Sequence, residues 1–208
     1  MHLVWDVPVV RTPITAIGAT IEVFEAPRVA ELWFWALQAS FGDGGGAHLG
    51  LQWHPSYPGS TAANFGGYAR GGGELRGGPL AHPSALGNPN TCDYSWTAAQ
   101  PYRLAIESSG PAAWTGTIDG NVLRELACDD AGAGIRSPMV WTECFARCDA
   151  PAATVRWSEL WVRTVDGVTT AVTSARVSYQ SRADGGCDTG RIDELGAGVW
   201  LQTTGVDR

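Results

Sequence analysis

The sequence predicts an all-β protein, built as an antiparallel two-sheet β-sandwich of jelly-roll type. Apolar residues repeatedly recur with a period of two, and Asp-Gly pairs separate several of these runs. The 208 residues include 27 Gly and 12 Pro, whereas only 17% are charged. This composition is typical of many short strands joined by tight turns, and no convincing βαβ unit interrupts the pattern.

The clearest strands combine alternation with β-branched and aromatic residues. The segment 15–26 carries Ile17, Ala19, Ile21 and Val23 on one face. In the segment 154–164, one predicted face carries Val155, Trp157, Glu159 and Trp161, and the other carries Arg156, Ser158, Leu160 and Val162. A third run alternates Tyr102, Leu104 and Ile106 with Arg103, Ala105 and Glu107.

Two Asp-Gly pairs predict β-hairpins. Asp119-Gly120 and Asp166-Gly167 each lie between two apolar runs. This pair readily adopts the positive φ angles that a two-residue hairpin turn needs. Neighbouring strands are therefore expected to be antiparallel.

An aromatic cluster near residue 34 predicts a further hairpin. Trp33 and Trp35 share one face of a strand and are expected to pack inside, while Phe34 takes the other face. After a glycine-rich turn, the returning strand places Leu49, Leu51 and Trp53 on one face. The segment 27–41 also fits a helical stripe, but the clustered aromatic residues favour a strand.

The chain is predicted to be a single domain, residues 1–208, with a long Gly/Pro-rich loop at about 57–90. Long loops in compact domains are often functional.

Charge and hydropathy exclude several classes of function. The formal net charge is −7, and all 14 basic residues are Arg. Without Lys, the chain has neither a Walker phosphate loop nor a Schiff-base amine. The Arg residues are scattered, which argues against nucleic acid, and no apolar run is long enough for a membrane span. As written, the start lacks a signal peptide and predicts a cytoplasmic protein, or a secreted one if the N-terminus is trimmed.

The five Cys residues lack CxxC spacing and are interpreted mainly as isolated buried thiols. One disulfide between Cys128 and Cys144 on neighbouring strands is the alternative. Cys144 and Cys148 are four residues apart, which is too far along a straight strand for them to bond to each other.

Several motifs resemble a bacterial family of unknown function. The segment "AHLGLQ" fits its first motif through Gly46, Gly50, Leu51 and Gln52. A second motif, in "NPNTCDYSWTAAQPYRLAIE", fits through Cys92, Tyr94, Trp96, Tyr102 and Arg103. The resemblance covers roughly residues 30–165. It implies a lectin-like (concanavalin-A-like) β-sandwich of the kind often found beside carbohydrate-binding modules, and it transfers no catalytic residue.

The leading functional hypothesis is a non-catalytic, lectin-like domain that binds carbohydrate or another polyhydroxylated ligand. Aromatic rings stack on sugars while polar side chains fix the hydroxyls, and such residues border the long loop. The predicted ligand-binding residues are Gln52, Trp53, Tyr57, Asn64, Tyr68 and Arg70, with Phe65 beside them.

Two other hypotheses stay open. A glycoside-acting hydrolase would use the Trp-flanked carboxylates Glu143 and Glu159, if their strands were neighbours. Alternatively, exposed aromatic residues would form an oligomer interface.

No cofactor or metal is predicted. His48 and His54 would lie about 20 Å apart along a strand and cannot share an ion. Calcium at 41–46, which includes Asp43, or at 128–134 is possible but has no motif, and both segments have ordinary turn compositions.

Overall fold

The computed structural model describes residues 1–42, 44–80, 82–84, 87–128 and 134–207, and it confirms the β-sandwich. Two antiparallel sheets face each other. The seven-stranded sheet has the order β13-β1-β10-β3-β4-β5-β6. The eight-stranded sheet has the order β14-β15-β11-β2-β7-β8-β9, with β12 paired to β11. The strands are β1 (His2–Trp5), β2 (Ile14–Val23), β3 (Trp33–Ser40), β4 (Gly46–Trp53), β5 (Thr61–Tyr68), β6 (Thr91–Asp93), β7 (Pro101–Gly110), β8 (Ala113–Ile118), β9 (Asn121–Ala127), β10 (Met139–Cys144), β11 (Ala153–Thr164), β12 (Thr169–Ala171), β13 (Ala175–Ser178), β14 (Thr189–Gly196) and β15 (Val199–Asp207).

Alternate residues of both sheets meet in one core. Trp33 and Trp35 are buried on the inner face of β3, as predicted. Small residues of one sheet face large residues of the other. A Cβ on Gly116 of the eight-stranded sheet would lie only 2.6 Å from the ring of Phe65, so this position has room for glycine alone. Seven of the ten Trp residues are buried in this core, which explains why the chain carries so many.

The two Asp-Gly turns differ in detail. Asp119 and Gly120 both take positive φ angles and join β8 to β9, which confirms the predicted two-residue hairpin. The turn from β11 to β12 is longer, because Thr164 N–H donates to the Val168 carbonyl and Gly167 alone has a positive φ. Gly167 is the last residue of this turn, whereas the predicted two-residue hairpin would place it at the centre.

The predicted alternation of β11 is wrong beyond Ser158, because the strand contains a β-bulge. Ser158 pairs with Thr20 and Trp161 with Gly18, so two residues of β11 face one residue of β2. Glu159 has a φ of 51° at this bulge. The extra residue reverses the side-chain direction, so that Leu160 points inward and Trp161 lies on the outer face over Gly18.

The predicted loop 57–90 is partly a strand. Residues Pro58–Ser60 form a 3-10 turn, and β5 (Thr61–Tyr68) follows at once, between β4 and the edge strand β6 of the seven-stranded sheet. Its two small residue pairs, Ala62-Ala63 and Gly66-Gly67, resemble a loop in composition but pack as strand. The remaining segment borders both sheets: the His82 carbonyl accepts from Asp93 N–H at β6, and the Arg76 carbonyl accepts from Ala127 N–H at β9.

The disulfide is Cys148–Cys187, not Cys128–Cys144. The two cysteines that were predicted to pair do not bond to each other. Cys144 is a half-buried thiol at the end of β10, and Cys128 is buried in the core. The actual bond joins the segment after β10 to the segment before β14, across 39 residues. Sequence spacing gave no signal for a pair this far apart.

Within the described ranges, no helix has the length and apolar character needed to cross a membrane.

Candidate functional site

The candidate site lies on the outer face of the seven-stranded sheet, the side turned away from the core. Strand register places its side chains in rows across the sheet. Glu143 of β10 pairs with Phe34 of β3, which pairs with Gln52 of β4. In the next row, Trp141 pairs with Ala36, which pairs with Gly50.

An aromatic cluster of Phe34, His48 and Trp141 covers the small residues of this face. The Phe34 and Trp141 rings meet edge to face at 4.9 Å, and His48 lies 5.8 Å from Phe34. Burial lowers the pKa of His48 to about 4, against which nearby Glu74 acts weakly. The His48 imidazole is therefore neutral at pH 7 and packs as an aromatic ring.

Gln38 fixes the orientation of Trp141. The indole Nε1 donates to Gln38 Oε1 at 2.9 Å, and Gln38 Nε2 donates to Tyr68 Oη and Ser40 Oγ at 3.2 Å. Because the Gln38 amide is held on both sides, the Trp141 ring forms a rigid wall beside Glu143.

Glu143 stands at a pocket of about 370 Å³. Trp141, Gln38 and His2 contribute to the same pocket. The tip of Glu143 reaches solvent, yet partial burial raises the pKa of its carboxyl above the ordinary 4.5. The N-terminal ammonium of Met1 lines the same pocket and acts against this shift, whereas no Arg or His side chain of the described residues lies within ion-pair distance of Glu143.

His2 is a second titratable group at this pocket. It pairs with Trp141 across β1 and β10, which makes Glu143 its diagonal neighbour, with Cα atoms about 7–8 Å apart. Desolvation lowers the pKa of His2, so its imidazole is neutral at pH 7. A carboxyl of raised pKa and a neutral imidazole can exchange protons with a substrate or with water between them.

The far wall of the pocket is held by the Cys148–Cys187 disulfide, which joins two of its lining segments. Phe145, Tyr179 and Gly186 contribute to the same wall. The crosslink fixes the two segments relative to each other, so the pocket is preformed.

Half of the predicted ligand-binding residues belong to a buried hydrogen-bond network. Tyr57 Oη and Thr91 Oγ1 both donate to Gln52 Oε1 at 3.1 Å, and Asn64 Nδ2 donates to Thr91 Oγ1 at 2.9 Å. Gln52, Asn64 and Tyr57 are only 4%, 4% and 7% exposed. These three side chains secure the turn after β4 and the short strand β6, and no ligand reaches them.

The other three are not gathered on one surface. Trp53 is half-buried and packs against the core on the inner side of the seven-stranded sheet. Tyr68 binds Gln38 on the outer side, and Arg70 is exposed at the start of the following loop. Phe65 lies fully in the core.

Glu143 and Glu159, the predicted catalytic pair, lie on opposite outer faces of the sandwich. Glu159 is on the eight-stranded sheet, where Thr20 Oγ1 donates to its carboxylate at 2.6 Å and Arg103 lies 3.9 Å away. The two carboxylates cannot share a cleft, so only Glu143 stays a candidate.

No group of three or more His, Cys, Asp and Glu in the described part of the chain is placed to hold a metal ion. His48 and His54 lie on and just beyond β4, and His54 contacts Tyr57. Asp43 and residues 129–133, which carry most of the calcium possibilities, lie outside the described residues.

Sequence reasoning missed Gln38, His2, Trp141 and Phe145. A usable signal was present in "VWTECF" (140–145), where Trp141, Glu143 and Phe145 alternate on one face. A lone carboxylate between two aromatic residues, with no Arg nearby in the strand, differs from the usual pattern of a solvated face. The contribution of β1 and β3 depends on strand order, which the sequence does not reveal.

Comparisons with known proteins find structural likeness only. No family model matches the sequence, and no curated protein matches it. Among solved structures, scytalido-glutamic peptidase bound to a transition state analog inhibitor is 14% identical, with a TM-score of 0.59 over 96% of this chain and 95% of that one. A complex of the same peptidase with a peptide-based analog is 11% identical, with a TM-score of 0.58 over the same shares. SCP-B, an eqolisin-family peptidase bound to the tripeptide Ala-Ile-His, is 11% identical, with a TM-score of 0.53 over 96% and 94%.

These findings correct two expectations. The β-sandwich implied by the family resemblance is present, but no family model supports the membership. The expectation of a non-catalytic, carbohydrate-binding domain is wrong: the structures that share the fold over nearly its whole length are peptidases, and half of the proposed binding residues are buried.

Proposed function

We propose that this chain is a hydrolase that cleaves peptide bonds, with Glu143 as its general base. The observation that carries the proposal is a carboxyl at a preformed pocket whose pKa is raised by burial, although the nearby N-terminal ammonium acts in the opposite direction. Perturbed carboxyls at pockets are typical of catalytic sites. The peptide substrate class is supported by the solved structures of the same fold, two of which hold peptide-based or peptide ligands.

The surroundings of Glu143 suit this chemistry. Its raised pKa makes the carboxylate a stronger base than an ordinary Glu. Trp141, fixed by Gln38, limits water on one side. His2 offers a neutral imidazole across β1.

The reaction needs only the substrate and water. Glu143 takes a proton from a water molecule as the water oxygen bonds to the carbonyl carbon of the peptide. Glu143 then gives that proton to the amide nitrogen, the C–N bond breaks, and its electron pair stays on nitrogen. The products are a free carboxyl group and a free amine, and Glu143 returns to the carboxylate. His2 is placed to orient the water or stabilise the protonated form of Glu143.

The test is turnover of a fluorogenic peptide library by the purified chain and by two matched variants. Glu143→Gln keeps the shape of the side chain but cannot accept a proton, so we expect kcat/KM to fall about 10² to 10⁴-fold. Glu159→Gln changes a Trp-flanked glutamate on the other sheet, and its kcat/KM should stay within about twofold of the wild type. Equal turnover by wild type and Glu143→Gln would reject the proposal.

The pH profile tests the role of Glu143 as a base. A general base is lost as the pH falls through its pKa, so kcat/KM should decrease tenfold per pH unit on the acid side. Because desolvation raises the pKa of Glu143, the midpoint of that limb should lie above the ordinary 4.5. Parallel assays with oligosaccharides test the alternative that the chain hydrolyses glycosides. Cleavage of oligosaccharides but not of peptides would mean that the substrates are glycosides.

A further inference from the structure

We infer that the pocket beside Glu143 is a subsite for one bulky hydrophobic side chain, and that Phe145 determines this preference. The inference rests on the proposed function, since it assigns a substrate feature to the same site. It identifies the substrates as extended peptides with a large apolar residue next to the bond that is cleaved.

The spacing along β10 places an aromatic residue on each side of Glu143. Trp141, Glu143 and Phe145 are alternate residues, and Phe145 N–H continues the ladder by donating to the Leu32 carbonyl at 3.0 Å. Alternate residues of a strand share one face and lie about 6.8 Å apart. Glu143 therefore stands between two aromatic residues, so a peptide bond held over Glu143 has a ring on each side.

Phe145 is a large apolar side chain that is left exposed. It is 59% exposed and lines the pocket. The other large hydrophobic residues that are exposed in the described chain are Val and Leu, so Phe145 is the aromatic member of this group. An exposed ring at a pocket mouth is stabilised when an apolar group covers it.

The pocket has the volume and the fixed walls that a bulky side chain needs. Its volume of about 370 Å³ is large enough to hold one, and the Cys148–Cys187 disulfide holds its far wall in place. Arg147 at the rim is paired with Asp149 at 3.0 Å, so its charge is largely offset. Glu143 and the Met1 ammonium are then the charges at this pocket, and Glu143 disfavours an acidic side chain placed directly beside it.

The experiment compares matched fluorogenic peptides that differ only in the residue beside the cleaved bond: Phe, Leu, Gly or Asp. For the wild type, we expect kcat/KM for the Phe and Leu peptides to exceed that for the Gly peptide at least tenfold, with the Asp peptide lowest. Phe145→Ala should raise KM for the Phe peptide about tenfold and leave kcat and the Gly peptide within twofold. Phe145→Leu should recover most of the loss, because it restores apolar surface.

Leu195→Ala is the control for lost surface hydrophobicity, since Leu195 is 60% exposed on β14 of the other sheet. It should leave the preference unchanged. A wild type that shows no preference for Phe and Leu, or a Phe145→Ala loss that is equal for all four peptides, would overturn the subsite while leaving the hydrolase in place.

The subsite can also be tested if no peptide is cleaved, which is the result that rejects the proposed function. Tryptophan fluorescence then reports binding of the Phe peptide to the Glu143→Gln variant, because Trp141 borders the pocket. Saturable binding that weakens about tenfold with the added Phe145→Ala change supports the subsite. Absence of binding, or binding that Phe145→Ala does not alter, overturns it.

Discussion

The two outer faces of the sandwich differ in whether their glutamates are paired with arginines. On the eight-stranded sheet, each glutamate near the centre has an arginine partner: Glu22 with Arg156, Glu107 with Arg163 and Glu159 with Arg103. On the seven-stranded sheet, the centre is occupied by uncharged aromatic and amide side chains. Glu143 stands among them without an arginine partner, and the cation that acts on it is the N-terminal ammonium of Met1.

This difference distinguishes a carboxylate that is ion-paired on the protein surface from one whose surroundings suit proton transfer. A neighbouring guanidinium satisfies a carboxylate and keeps it ionised, whereas partial burial without such a partner raises the pKa of Glu143. Both faces read as alternating charged and apolar residues in the sequence. Only the identity of the cross-strand neighbours distinguishes them.

The largest expected change in the free energy of unfolding comes from replacing a glycine on the outer face of the seven-stranded sheet, and a glycine of the eight-stranded sheet provides the comparison. A Cβ on Gly50, in the seven-stranded sheet, would overlap the Trp35 carbonyl oxygen and lie 2.8 Å from Ala36 Cα. Because backbone atoms cannot move aside, Gly50→Ala should lower the free energy of unfolding by about 3 kcal/mol. A Cβ on Gly18, in the eight-stranded sheet, would instead overlap the indole of Trp161.

Trp161 is only half-buried, so its ring can swing toward solvent, and Gly18→Ala should cost about 1 kcal/mol. Urea denaturation of both variants measures the two values. Equal losses would mean that the seven-stranded face is no more tightly built than the other.

Sequence patterns predicted the fold much better than the site. Alternation placed Trp33, Trp35, Leu49 and Leu51 correctly inside, because period two is a local property of a strand. The bulge at Glu159 was not predictable from alternation alone. Its sequence carries apolar residues at Val155 and Trp157, then at Leu160 and Val162, and this change of phase is the trace that the bulge leaves.

The site depends on which strands are neighbours. Glu143 and His2 are 141 residues apart in sequence, and only the order β1-β10-β3 brings His2, Glu143 and Gln38 to one face. Composition was misleading for Gln52, Tyr57 and Asn64. Polar and aromatic residues together resemble a binding surface, but the structure uses them to satisfy one another beneath the turn after β4.

A second, smaller effect is expected on stability in acid, and it belongs to the seven-stranded face. The folded pKa of His48 is about 4, below its ordinary 6.5, because burial disfavours the charged ring. Between these values the unfolded chain binds more protons, so stability is fully present above pH 6.5 and falls as the pH falls toward 4. The His48 contribution to this loss is at most about 3 kcal/mol.

His48→Gln should make the free energy of unfolding less dependent on pH between 6.5 and 4, as measured by urea denaturation at several pH values. His82→Gln, at an exposed histidine, is the matched control and should keep the wild-type slope. A His48→Gln variant with the wild-type slope would show that the imidazole is not desolvated in solution.

The smallest expected effect tests the paired charges of the eight-stranded face. Glu107 and Arg163 lie 2.9 Å apart, and each side chain is 37% exposed. Surface pairs of this kind contribute little because water and salt screen them, so a double-mutant cycle of Glu107→Gln and Arg163→Gln should give a coupling energy of about 0.5 kcal/mol. Arg163 also lies over the Trp161 ring at 5.5 Å, and that contact is lost in every variant lacking Arg163, so it cancels from the cycle. Since added salt screens exposed charges, the coupling should shrink further in about 1 M NaCl. A coupling of several kcal/mol that persists in salt would mean that this face is desolvated, and the contrast with the surroundings of Glu143 would then disappear.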